Sequence, residues 1–118
     1  TRGTKRRAHL ARQTWDDLGM IHAKLARLDT KALVAVKAVF GPESAREHCW
    51  LRIDTLEGNA ASGVLDADTR MVPGLQEGDV HRVNREEISD WCVVLNDRRF
   101  DPESVPALWR VIDELSQI

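Results

Sequence analysis

Between residues 4 and 28 the apolar positions Leu10, Trp15, Leu18, Ile21, Leu25 and Leu28 recur at three- to four-residue and near-multiple spacings, with Arg, Lys and Asp on the other side. That period predicts an amphipathic helix over 4–28. Its first turns are basic, which is unfavourable at the positive end of a helix dipole. Asp29 and Thr30 break the pattern. Residues 32–40 read as a strand on Val34, Val36, Val39 and Phe40, although their alanines and Lys37 would also suit a helix; Gly41-Pro42 ends the segment either way.

Residues 48–54 alternate, with Cys49, Leu51 and Ile53 on one side and His48, Trp50 and Arg52 on the other, the pattern of a strand with two different faces. Glu57-Gly58-Asn59 has turn chemistry, and residues 62–66 can return as the antiparallel partner. A loop with Pro73-Gly74 leads to the turn Glu77-Gly78-Asp79 and a short strand over 80–83. Asn84 and Glu87 have capping-box spacing, and Ser89-Asp90 leads into residues 91–95, the most apolar strand and the one expected at the centre. Asn96-Asp97 supplies a turn before a short edge pairing at Arg99-Phe100. A last helix over 104–117 has Ser104 as N-cap, Pro106 in its first turn and a stripe of Leu108, Val111, Ile112 and Leu115.

These elements predict one α+β domain over 1–118. A small, strongly bent antiparallel sheet or open barrel of five to six strands (32–100) has an N-terminal and a C-terminal helix packed on it. A chain of 118 residues with 42% hydrophobic and 31% charged residues can bury a core without a metal or disulfide staple. Cys49 and Cys92 fit neither a CxxC motif nor a disulfide framework and read as buried free thiols, possible neighbours across the sheet.

The formal charge of −2 gives no global basic field for nucleic acid or an anionic membrane; the basic block is Arg2, Lys5, Arg6, Arg7 and Arg12. No run approaches the roughly 18 apolar residues of a membrane span and no apolar stretch follows the basic start, so a cytoplasmic location is expected. The start at Thr1 rather than Met suggests a piece of a longer polypeptide.

The segments Glu47-His48-Cys49-Trp50-Leu51, Gly63-Val64-Leu65-Asp66, Val72-Pro73-Gly74-Leu75, Gly78-Asp79-Val80 and Ile88-Ser89-Asp90-Trp91 resemble, in order and spacing, the bacterial domain of unknown function 2314, the YegJ-like family. The resemblance covers residues 34 to 95. It implies a strand opened by the EH-x-W segment, a GxLD strand, a Pro-containing loop, a GD turn and a last shared strand entered at ISDW. Members commonly end soon afterwards in a glycine- and tyrosine-containing segment, whereas this chain has no tyrosine and continues to Ile118. The family implies a fold and no reaction.

Glu47, His48 and Asp90 are the polar residues that could act as an oriented general base, with Trp50 completing a pocket. No serine elbow, P-loop, Rossmann glycine run or HExxH motif accompanies them. His9, His22, His48 and His81 lack metal-ligand spacing, although His48 and His81 could meet across the sheet; no metal or cofactor is expected. Of Trp15, Trp50, Trp91 and Trp109 most read as core anchors, with Trp50, beside His48 and Arg52, the exception that could form a recognition surface. Asp66, Asp68, Glu77, Asp79, Glu86, Glu87 and Asp90 make the loops acidic, a rim that could steer a basic partner.

The leading expectation is a protein-binding module without catalytic activity, acting through Glu47, His48, Trp50, Arg52, Asp79, Glu87, Asp90 and Trp91 on a protein partner, for instance as the antidote to a toxin encoded beside it. The alternatives are an enzyme or small-ligand binder with a Glu47/His48/Trp50/Asp90 pocket, and nucleic-acid binding through the basic N-terminal arm, which the charge balance disfavours.

Overall fold

The computed structural model describes residues 2–66 and 75–117. Two N-terminal helices, α1 (Arg2–Gln13) and α2 (Trp15–Leu25), precede β1 (Ala32–Phe40), β2 (Glu47–Glu57), β3 (Ala60–Leu65), β4 (Val80–Asn84), β5 (Ile88–Leu95) and β6 (Arg98–Phe100). Helix α3 (Val105–Ser116) closes the order, and short 3₁₀ turns cover Glu43–Ala45, Arg85–Glu87 and Pro102–Ser104. The strands form one open sheet in the order β4-β3-β2-β1-β5-β6, every neighbouring pair antiparallel. The α+β class and strand count agree with the sequence reading; the strand expected at the centre, β5, lies one in from an edge, beside the three-residue β6. Its apolar character comes from burial on both faces.

The predicted single helix over 4–28 is two. The break falls at Thr14, whose φ of −97° and ψ of 13° leave the helical region. Its hydroxyl donates back to the Leu10 carbonyl (2.8 Å) and accepts the Trp91 indole N–H (2.8 Å). A threonine bonded back to the preceding turn bends a helix, and here the bend lets α1 follow β5 while α2 turns toward the middle of the sheet.

The two hairpins with two-residue loops have turn chemistry suited to a twisted ribbon. Gly58-Asn59 joins β2 to β3 with positive φ (58°) at the glycine, the first-position glycine of a type II′ turn. Asn96-Asp97 joins β5 to β6 with φ of 50° and 66°, the two left-handed residues of type I′. The Asn84–Glu87 capping box is present, the Asn84 amide donating to Glu87 Oε1 at 2.8 Å. Ser104 does not cap α3; its hydroxyl accepts the Asp101 amide and closes the preceding 3₁₀ turn.

All three helices lie on one side of the sheet. Ala11, Trp15, Leu18, Ile21, Leu25, Leu108 and Ile112 form one core with Val34, Val36, Leu51, Leu65, Trp91, Val93 and Phe100. The register puts these strand residues on a single face. Phe40 and His81 stand on strands separated by β2 and β3, yet their ring centroids are 5.1 Å apart. Three strand spacings in a flat sheet span about 14 Å, so this contact requires the strong bend.

Cys49 pairs with Ala38 and Cys92 with Ala35, three residues apart on β1, which places the two thiols on opposite faces of the sheet. They are buried free cysteines and not neighbours. His48 and His81 likewise do not meet: His48 stands beside Val39 on the helix-free side, and His81 follows Gly63 and Ile53 onto the other. The Pro73-Gly74 loop and Asp68 lie outside the described residues. Among the described residues no helix is long and apolar enough to cross a membrane.

Candidate functional site

An antiparallel sheet covered on one side presents every second side chain of its strands on the other. Here that open face carries Lys37 from β1, His48, Trp50 and Arg52 from β2, Val64 from β3, Val80 and Arg82 from β4, Cys92 and Val94 from β5 and Arg99 from β6. Trp50 sits half-buried near the middle, where the Lys37 ammonium lies 5.9 Å and the Arg99 guanidinium 5.5 Å from its ring centroid. Arg99 reaches it from the far edge of the sheet, across β5 and β1. Ala35 and Cys92 beneath are 6% exposed although neither belongs to the helix-covered core. Among the described residues no helix packs over them. Burial pushes the Cys92 thiol pKa up, while the Arg99 charge opposes that shift.

At one end of this face, two residues of β5, Ser89 and Asp90, stand against the single residue Lys37 of β1. This is a β-bulge, a device that re-aims side chains. The Ser89 hydroxyl lies 3.2 Å from His48 Nδ1 and donates to the Lys37 carbonyl at 3.4 Å. Asp90 turns away from His48. It accepts the Trp91 amide (2.9 Å) on one oxygen and Arg7 Nε of α1 (3.2 Å) on the other. Arg7 also holds Asp101 at 3.3 Å, and its pKa is raised chiefly by the hydrogen bond to Asp90. Burial disfavours the Asp101 carboxylate, but the Glu103 amide, Arg7 and Ser104 together outweigh it and lower its pKa. A depression of about 440 Å³ beside the bulge is lined by Arg6, Arg7, Lys37, Ser89, Asp90 and Glu103, among others.

The residues predicted from sequence therefore separate. His48, Trp50 and Arg52 share the open face. Glu47 pairs with Phe40 on the helix-side register, and Asp90 faces Arg7, so Glu47, His48, Trp50 and Asp90 do not converge on one pocket. Trp91, expected as a contact residue, is 0% exposed with its indole bonded to Thr14; it is a core residue. Trp15 is the same, donating to the Gly58 carbonyl at 2.6 Å. Asp79 caps its own turn through the Gln76 amide (2.9 Å), and Glu87 closes the capping box. Three carboxylates of the expected acidic rim, Asp79, Glu87 and Asp90, thus hold local structure. Sequence reasoning missed Lys37, Arg82 and Arg99. A lysine inside the otherwise apolar segment 32–40 is the signal that marks the solvent side of β1.

Residues 6–114 match the family described as "Uncharacterized protein conserved in bacteria (DUF2314)". The match extends beyond the shared strands through both terminal helical regions, so the segment after Asp101 belongs to the family pattern. Among curated proteins, "Uncharacterized protein YegJ" of Escherichia coli (strain K12) is 28% identical over 74 residues, which are 63% of this chain and 48% of that protein. The chain thus spans about half the length of the curated relative it matches. No solved structure matches it.

Proposed function

Because the chain belongs to the DUF2314 family, whose description names no reaction, we propose a function from its own surface: a protein-binding module without catalytic activity that docks a partner on the open face of its sheet. The observation that carries this reading is Trp50, a half-buried tryptophan on a helix-free face, set between Lys37 and Arg99. Tryptophan and arginine near the centre of a patch are the residue types that dominate binding energy at interfaces. A toxin encoded beside this chain is the partner class in keeping with its small size, and the sheet face rather than the acidic loops is where it would bind. We place the protein in the cytoplasm, where thiols such as Cys49 and Cys92 stay reduced.

A photo-activated crosslinker at position 94 or 52, on the open face, should give a defined adduct in the native host, confirmed with the purified partner. The same group at Met20, 57% exposed on the helix side, should give none. Adducts from position 20 alone, or from none of the three, refute the docking reading.

The Ser89–His48 contact of 3.2 Å beside the 440 Å³ depression favours a second reading, small-ligand binding at the bulge. Removal of the serine hydroxyl in Ser89→Ala should weaken a ligand there and leave a crosslink at position 94 unaffected.

A further inference from the structure

We infer that the segment received by the open face is extended and acidic, a run of Asp or Glu side chains on the partner; this rests on the docking reading above. Lys37, Arg52, Arg82 and Arg99 come from four different strands to one face. Among the described residues none of the four makes an ion pair. Three cations of the helix side are placed differently: Arg7 holds Asp90 and Asp101, Arg12 donates to the Ile88 carbonyl, and Arg85 donates to the Arg12 carbonyl beside Asp16. Among the described residues the open side also holds the carboxylates Asp54, Glu57 and Asp66, while Asp90 is already held by Arg7. In a chain of net charge −2, four cations without an ion pair among the described residues thus share the face that none of the three helices covers.

Two of those cations crowd a single indole. A carboxylate arriving beside either one gains a charge-assisted hydrogen bond and adds to the attraction of the other. Arginine offers a planar fork that matches a carboxylate with two hydrogen bonds. Single-stranded nucleic acid would use the same charges, but it also needs ring faces free for stacking, and both cations already lie over Trp50, the one tryptophan of this face. An acidic peptide needs the cations alone.

The test uses the whole chain and a fluorescein-labelled peptide of about ten glutamates, read by anisotropy at about 50 mM and about 300 mM NaCl, with lysine and deoxythymidine decamers alongside. The glutamate peptide should bind at low salt, weaken about tenfold or more at high salt, and weaken by a similar factor in Arg52→Glu/Arg99→Glu. Lys24→Glu, on α2, should bind as the wild type does. Near-ultraviolet circular dichroism establishes that each variant is folded. Three results overturn the inference: no binding of the glutamate peptide at low salt, equal binding by the double variant, or tighter binding of the deoxythymidine decamer. A crosslink at position 94 that persists in the double variant also overturns it while leaving sheet-face docking intact; absence of that crosslink in the wild type removes docking itself.

Discussion

At the scale of single residues, Thr14 joins two structural roles in one hydroxyl: it bends the N-terminal helical segment through Leu10 and satisfies the indole of the fully buried Trp91. Thr14→Val keeps the shape and removes both bonds. A buried donor left without a partner costs about 1–3 kcal/mol, so the urea midpoint should fall by that equivalent, with Thr14→Ser recovering most of it. Gly63 is constrained differently. A Cβ there would stand 2.2 Å from the Arg52 carbonyl oxygen and 2.8 Å from its carbon. Backbone cannot yield as a side-chain tip can, so Gly63→Ala should cost about 3 kcal/mol or more and disturb the β2–β3 pairing, measured by denaturant unfolding and amide exchange of Arg52 and Ile53. Trp91 also shows where reading the sequence stops. Alternation tells inside from outside only when one face is polar, and β5 is buried on nearly every position of both faces. The pattern there has no phase, and a core tryptophan looks like a surface one. Trp50 lies in an alternating strand, and its side was legible.

Elements that depend on neighbouring residues were read correctly: the strand over 32–40, the hairpin at Gly58-Asn59, the capping box from Asn84 to Glu87. Features that depend on distant partners were not, because the Thr14 break needs Trp91 and the Ser89-Asp90 bulge needs Lys37 and Arg7. The β5–β6 hairpin gives a local prediction. Asp97 holds φ at 66°, a conformation glycine adopts without a Cβ penalty. Its ion pair with Lys31 is 4.0 Å long between side chains about nine-tenths exposed, which contributes almost nothing. Asp97→Gly should therefore stabilise the protein by about 0.5–1 kcal/mol, seen as a higher melting temperature. Helix α1 gives one that depends on pH. Asp101 has a lower pKa in the folded state than its ordinary value, so over that interval the unfolded chain binds more protons and stability rises with pH. The contribution is present above about pH 4 and is lost as pH falls through the folded value. The urea midpoint should drop below pH 4, and Arg7→Gln should lower the midpoint at neutral pH while flattening the drop, since it removes one cause of the shift.

Among the described residues the molecule is a two-layer structure with an asymmetric burden: three helices keep one face dry, and none of them covers the other. That arrangement follows from how an antiparallel sheet is covered, and the sequence carried half of it, in the alternation of residues 48–54, but not the strand order that brings Arg99 over Trp50. Ala35 and Cys92 on that uncovered face are nonetheless buried, and Arg99 reaches over β5 and β1 to Trp50 beside them. If Trp50 anchors Arg99 across them, Trp50→Ala should release the guanidinium and open Cys92 to solvent, while Cys49, under the helices at 3% exposure, stays protected. A released Arg99 opposes the raised thiol pKa less, which by itself would slow alkylation, so a gain in reactivity reports exposure. Alkylation by iodoacetamide at pH 8, resolved by peptide mass spectrometry, should quicken several-fold at Cys92 and not at Cys49. Equal acceleration at both would mean that the core itself had loosened, and no change at Cys92 would mean that the cover does not depend on the indole. Bound glutamate peptide should slow Cys92 again in the wild type, since an occupant of the open face lies over the same floor.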